Sequence, residues 1–155
     1  METTNSVIMR GDADRIYELA ANIQDWPALL PHYRYVIVEE CSERHKVARM
    51  GARRDRLPVK WRCLQELVPE ERRIQFKHTG GITKGMEVEW RIEPGPDGVR
   101  VSIWHALEYP VPVLGPLFAE HVVGRLFVSN IAGKTLKCIQ EKVEAEARAA
   151  LLSQA

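Results

Sequence analysis

From Tyr33 to Tyr109 the chain reads as six consecutive β-strands joined by turns of a few residues, and connections that short leave only an antiparallel sheet. The segments are Tyr33 to Cys41, His45 to Arg54, Pro58 to Val68, Arg72 to Thr79, Gly85 to Glu93 and Gly98 to Tyr109. Their separators, SER from Ser42, PEE from Pro69, GGITKG from Gly80 and PGPDG from Pro94, carry the residues that turns require. A further strand, Asn5 to Arg10, precedes a helix predicted over Ala13 to Ile23, where Asp12 caps and Ile16, Leu19, Ala20 and Ile23 recur at helical spacing. Pro27 and Pro31 confine WPALLPHY (Trp26 to Tyr33) to a helical turn or tight loop. One long amphipathic helix, Pro116 to Ala147, closes the chain, followed by a solvated Ala/Glu/Arg-rich end. The expected fold is α+β: a curved antiparallel sheet of about seven strands wrapped around the C-terminal helix, with two short helices after the first strand.

Alternation assigns faces to the strands. Met86, Val88, Trp90 and Ile92 alternate with Glu87, Glu89, Arg91 and Glu93, which is one buried and one wet face. The same parity turns Ile74, Phe76 and His78 inward, and likewise Val99, Val101, Ile103, His105 and Leu107. On the strand after Leu57, Trp61, Cys63 and Gln65 share the inner face, and on the strand before it Ala48, Met50 and Ala52 are the preferred inner row. The long helix carries Phe118, Val122, Val128, Ala132, Leu136, Ile139 and Val143 on one stripe, interrupted by Arg125 and Ser129. An unpaired buried guanidinium is costly, so Arg125 is expected either to meet a carboxylate such as Glu108 or Asp25 or to face a cavity. A curved sheet gripping a helix leaves a hollow interior, and the expected occupant is an apolar small molecule.

Composition narrows the classes. At 155 residues the chain is expected to be one domain, 1–155. With 22 Lys+Arg against 21 Asp+Glu there is no global field to draw in nucleic acid. Three scattered cysteines without a CxxC pair argue against a disulfide framework and fit a cytoplasmic setting. No window approaches a membrane span, and no signal peptide is expected. His32, His45, His78, His105 and His121 fall on separate elements, so neither a metal nor a cofactor is expected. The glycines of GGITKG are followed by a strand rather than a helix, so they read as a hairpin and not as a phosphate loop.

The order strand, helix, WPALLPHY, six strands and long helix resembles the START-like (Bet v 1-like, SRPBCC, helix-grip) superfamily in its polyketide cyclase/dehydrase branch. The likeness runs from about Thr4 to Glu144 and is most local in IQDWPALLPHY, GMEVEWRIEP and NIAGKTLKCIQ. Coenzyme Q-binding START-like proteins are similar in the same segments. The resemblance implies lipid binding in a hydrophobic cavity, as a monomer or homodimer, with a polyketide synthase or quinone pathway as partner. It implies a pocket tyrosine that matches Tyr33. It also implies a pocket arginine before a Val-Pro step, but Leu67 precedes Val68-Pro69 here. Arg125, or Arg62 if the parity is reversed, would then supply the cation, and a histidine on the last strand corresponds to His105.

The expected ligand-contacting set is therefore Tyr33, Met50, Trp61, Gln65, Phe76 and His78, with Met86, Trp90, Ile103 and His105 from the later strands and Phe118, Val122, Arg125 and Ser129 from the helix. For an aromatase/cyclase, Tyr33, His105 and Arg125 are the catalytic candidates, since aldol closure and dehydration of a poly-β-ketone need proton transfer and enolate stabilisation. Each has an ordinary alternative: an inward histidine hydrogen-bonded in the core, a tyrosine that anchors a proline-rich turn, an arginine in an ion pair. Trp26 and Pro27 read as architectural, closing the first helix onto the sheet. Three classes remain: a carrier of a polyketide, quinone or other lipid; a cyclase; and a ligand-free interaction or stress protein with a filled interior. The stiff, apolar EYPVPVLGPLF (Glu108 to Phe118) reads as a linker, a lid or a docking patch.

Overall fold

The structure, a computed structural model, describes residues 1–108 and 128–154. Seven antiparallel strands form one sheet: β1 (Glu2–Met9), β2 (Tyr33–Cys41), β3 (His45–Arg54), β4 (Leu57–Val68), β5 (Arg73–Gly81), β6 (Glu87–Gly95) and β7 (Gly98–Ala106). The order across it is β1-β7-β6-β5-β4-β3-β2, so every neighbour is a hairpin partner except β1, which returns to β7 with Val7 opposite Val101. The described helices are α1 (Ala13–Ala21), the single turn α2 (Trp26–Leu29) and the long α3 (Ser129–Ser153). This is the helix-grip arrangement, with two short helices after the first strand.

Several boundaries differ from expectation: α1 ends at Ala21 rather than Ile23, β4 begins at Leu57 rather than Pro58, β5 spans Arg73–Gly81 rather than Arg72 to Thr79, β6 spans Glu87–Gly95 rather than Gly85 to Glu93, and β7 ends at Ala106 rather than Tyr109. Strand β1 starts at Glu2 rather than Asn5, because pairing with β7 continues to Ala106 and overrides the polar sequence of Thr3 to Ser6. Helix α3 continues to Ser153, past Ala147, although its last turn is exposed: Leu151 and Leu152 are 69% and 77% exposed. Ala, Glu and Arg are strong helix formers, so propagation persists where burial stops. The expected helical start at Pro116, together with Tyr109, Phe118, Val122 and Arg125, lies outside the described residues.

The inner rows expected for β3 to β7 hold, whereas on β2 register shifts at Tyr33/Tyr35 and Val38/Glu40 break the alternation. Ala48, Met50, Ala52, Cys63, Gln65, Ile74, Ile92, Val101 and Ile103 are all buried, and so is the α3 row Val128, Ala132, Leu136, Ile139 and Val143. Asp12 caps α1 by accepting from the Arg15 backbone N–H at 3.2 Å. Arg15 then grips Glu146 through Nε and Nη2, both at 3.0 Å, which ties α1 to the far part of α3. The buried row of α3 packs against the concave face of the sheet, and the space between them is where the site lies.

Candidate functional site

A cavity of about 70 Å³ lies between the inner face of the sheet and the first turns of α3. Five aromatic side chains stand in its walls: Trp26, Tyr33, Trp61, Phe76 and Trp90. Trp26 is the hub, with ring centroids 5.0 Å from Tyr33, 6.0 Å from Phe76 and 5.9 Å from Trp90. Tyr33 meets Trp61 edge-on at 5.9 Å. Met50, Val59, Met86, Val88 and Ile103 complete the sheet side, and Val128, Ile131, Ala132 and Thr135 form the helix side. The hollow exists because Ala132 and Thr135 are small where the helix passes over large aromatic rings.

The turn at 23–33 positions the first aromatic pair. A 3-10 turn at Ile23–Asp25 leads into α2, and Trp26 Nε1 donates to the Leu19 carbonyl at 3.1 Å. Trp26 thus closes α1 onto the sheet, the architectural part expected of it, while its ring face also forms a cavity wall. Leu30 N–H donates to the Trp26 carbonyl and Tyr33 N–H to the Leu30 carbonyl, so the chain enters β2 with Tyr33 directed inward. Burial pushes the Tyr33 hydroxyl far up and keeps it protonated as a donor, with Thr135 acting weakly the other way.

Four polar side chains punctuate the aromatic wall: His78, Thr83, His105 and Thr135. His78 stacks on Trp61 with planes 2° apart, and its Nδ1 lies 2.6 Å from Thr83 Oγ1. The 80–86 turn delivers Thr83 by folding back on β5: His78 N–H donates to the Met86 carbonyl and Met86 N–H to the Thr83 carbonyl, both at 2.9 Å. Gly81 permits this, since its φ is +93° and an added Cβ would sit 2.5 Å from the Lys60 carbonyl oxygen. Burial pushes His78 down to about 3, reinforced by His105, and burial alone pushes His105 down to about 4. Both rings are neutral at physiological pH. The His105 Nδ1 is buried and has no hydrogen-bond partner among the described residues.

A second histidine–threonine pair stands on the opposite side of the site. His32 Nε2 lies 2.8 Å from Thr135 Oγ1, and the same hydroxyl donates to the Ile131 carbonyl at 2.8 Å. A hydroxyl has one proton, so the bond between them is carried by His32 Nε2–H. Burial, then the charge of Lys134, pushes His32 down to about 4.

Of the residues expected to contact a ligand, the structure brings Tyr33, Met50, Trp61, Phe76, His78, Met86, Trp90, Ile103 and His105 together around one cavity. Gln65 and Ser129 stand apart from its walls. Gln65 is fully buried but donates its amide to the Ala21 carbonyl at 3.0 Å, binding β4 to α1. Ser129 is half-buried at the start of α3. Arg62 is exposed and pairs with Glu39 at 2.9 Å, so the reversed parity that would have turned it inward is excluded. Sequence reasoning passed over Thr135, Ile131, Thr83 and Val59. Thr135 had a signal, lying seven positions from Val128 and three from Ala132 on the helix stripe. Thr83 had none, because its direction depends on the turn geometry. No group of His, Cys, Asp or Glu among the described residues is arranged to hold a metal ion, and no described helix is long and apolar enough to cross a membrane.

Residues 9–132 match the family described as polyketide cyclase / dehydrase and lipid transport. The chain belongs to that family. Its fold recurs in the Zhui aromatase/cyclase from Streptomyces sp. R1128, with a TM-score of 0.82 at 19% identity over 97% of either chain. A protein from Thermus thermophilus superposes with a TM-score of 0.78 at 23% identity, covering 94% of this chain and 99% of that one. A START superfamily protein from Mycobacterium smegmatis gives 0.67 at 18% identity over 96% and 98%. At such identities these likenesses carry the fold, START-like and helix-grip, and no more. No protein of curated function matches the chain.

Proposed function

We propose that this chain, acting as one ligand-binding domain over 1–155 in the cytoplasm, holds a hydrophobic small molecule bearing oxygen groups in the cavity beneath α3. The ligand is a polyketide, a quinone or another lipid. One observation carries the reading: a cluster of aromatic side chains, linked through Trp26 and Tyr33, borders space rather than filling it, and neutral hydrogen-bonding groups stand among them. A ligand-free interaction protein would fill this space. The orphaned His105 Nδ1 supports the reading further, because an unpaired buried polar atom costs about 1–3 kcal/mol unless a ligand or water meets it.

Volume bears on how the ligand enters. About 70 Å³ accommodates a few water-sized groups, whereas sites that enclose a whole drug-sized molecule span roughly 300–1,000 Å³. A molecule of several rings therefore parts the walls as it binds. Met50 and Met86, with flexible side chains, yield first. Protein isolated natively from its host is expected to release an apolar compound on solvent extraction, read by mass spectrometry. Quinones, fatty acids or aromatic polyketides should raise the thermal midpoint. An extract with no such compound, together with no shift for any of the three, overturns the reading.

A second reading, catalysis of aldol closure and dehydration, is favoured by Tyr33 and His105 lining the same cavity. The protonated Tyr33 hydroxyl would donate to a developing enolate oxygen, and the neutral His105 would accept the proton leaving carbon. Leu67 in place of the arginine weighs against it, and Arg125 remains the candidate for that charge. Tyr33→Phe and His105→Ala should change the products of a reconstituted poly-β-ketone synthase. Identical products with and without the protein remove this reading.

A further inference from the structure

The near-neutral total conceals a separated charge. Residues 49–62, the β3–β4 hairpin, hold six cations (Arg49, Arg53, Arg54, Arg56, Lys60 and Arg62) against the single anion Asp55, which leaves the remainder of a chain with 22 Lys+Arg and 21 Asp+Glu net acidic. Arg49 and Arg62 are engaged by Glu39, toward the middle of the strands. Arg53, Arg54, Arg56 and Lys60 surround the tip and have no ion-pair partner among the described residues; Arg53, Arg56 and Lys60 are exposed and Arg54 is half-buried. Asp55, at the turn with φ +54°, is occupied by Lys134 of α3 at 3.5 Å, so the anion in the group is already answered from the helix.

An apolar side chain sits among these cations. Leu57, directly opposite Arg54, is 54% exposed at the hairpin tip, and Ile82 is 49% exposed on the neighbouring β5–β6 turn. Gly81 pairs with Trp61, which brings that turn beside the hairpin, and exposed Lys84 adds a further cation. Val59 and Thr83, from these same two segments, wall the cavity at this end.

We infer that this end of the sheet docks onto an anionic lipid surface, with Leu57 entering the headgroup region and Arg53, Arg54, Arg56 and Lys60 meeting lipid phosphates. The two apolar side chains stand on separate turns that also carry exposed cations, Arg56 and Lys84 among them. A protein partner of standard size needs about 800 Å² per side with a contiguous desolvated centre, and this surface offers none. A lipid surface needs no such centre, because diffuse charge attracts juxtaposed cations and single side chains insert independently. Docking here would set the cavity end of the molecule against the membrane, a place from which an apolar ligand could be exchanged.

The test is flotation of the full chain with vesicles of phosphatidylcholine alone and of phosphatidylcholine mixed equally with phosphatidylglycerol, with soluble polyglutamate as competitor. Binding is expected on the anionic vesicles only and is released by about 0.5 M salt, where the screening length falls to a few ångströms. Leu57→Asp and the pair Arg53→Glu with Arg56→Glu should each lower the bound fraction at least about tenfold at unchanged thermal midpoint. Should the arginine pair fail to fold, Lys60→Glu with Lys84→Glu replaces it. No partition to anionic vesicles, or equal partition to both kinds, overturns the inference. So does full binding by Leu57→Asp with efficient displacement by polyglutamate, which would indicate an acidic protein partner instead. Ligand-induced thermal shifts do not depend on this surface, so either reading can fail alone.

Discussion

At the scale of single residues, the site is organised by threonines that sequence periodicity does not mark as polar anchors. Thr135 is 2% exposed within an otherwise apolar helix row, and it is tolerated there because its hydroxyl is saturated by the Ile131 carbonyl and His32 Nε2–H. Thr135→Val keeps the shape but strands the imidazole donor, so a loss of about 1–3 kcal/mol is expected in urea unfolding, with Thr135→Ser losing less. His78 and Thr83 form the corresponding pair beneath Trp61. Parity located His78 and His105 because a strand has a period of two. His32 escaped it, since the residue lies in the turn before β2, where no period applies.

At the scale of elements, α3 and the 80–86 turn decide whether a hollow exists. Ile139, fully buried on α3, anchors the helix by packing, and Ile139→Ala should cost about 2–4 kcal/mol by denaturant titration. The Arg15–Glu146 fork, with both side chains about one-third exposed, should contribute under about 1 kcal/mol, so Arg15→Met is nearly silent in the same assay. Helix position is thus set by apolar contact, and the ion pair selects orientation. Gly81→Ala would combine a left-handed φ with a close approach to the Lys60 carbonyl. A loss of about 1–3 kcal/mol is expected, together with weaker ligand-induced thermal shifts because Thr83 leaves its place beside His78.

At the scale of the whole molecule, His32, His78 and His105 make stability depend on pH. Each is held well below its usual value, near 4, 3 and 4, so the folded state binds fewer protons than the unfolded chain between those values and about 6.5. Their contribution is complete above about pH 6.5 and is lost as the pH falls toward 4. The thermal midpoint should fall steadily over that interval, with roughly 2 kcal/mol lost by pH 5 for each of His32 and His78, and a pH-independent midpoint would contradict their burial. Strand number, turn positions, inner faces and helix stripe were legible in the amino-acid sequence, because alternation and helical spacing are local consequences of backbone geometry. The strands β2 and β3 matched their expected bounds, Tyr33–Cys41 and His45–Arg54. What only the tertiary structure decided was which inward residues enclose space and which fill it. Gln65 and His78 both face inward on adjacent strands, yet one ties β4 to α1 while the other lines the cavity, as the course of the helices over the sheet dictates. The run of arginines at the β3–β4 tip stands in the sequence, but the fold decided that Glu39 engages Arg49 and Arg62 and leaves Arg53, Arg54, Arg56 and Lys60 without an ion-pair partner among the described residues, because a field depends on where each charge stands.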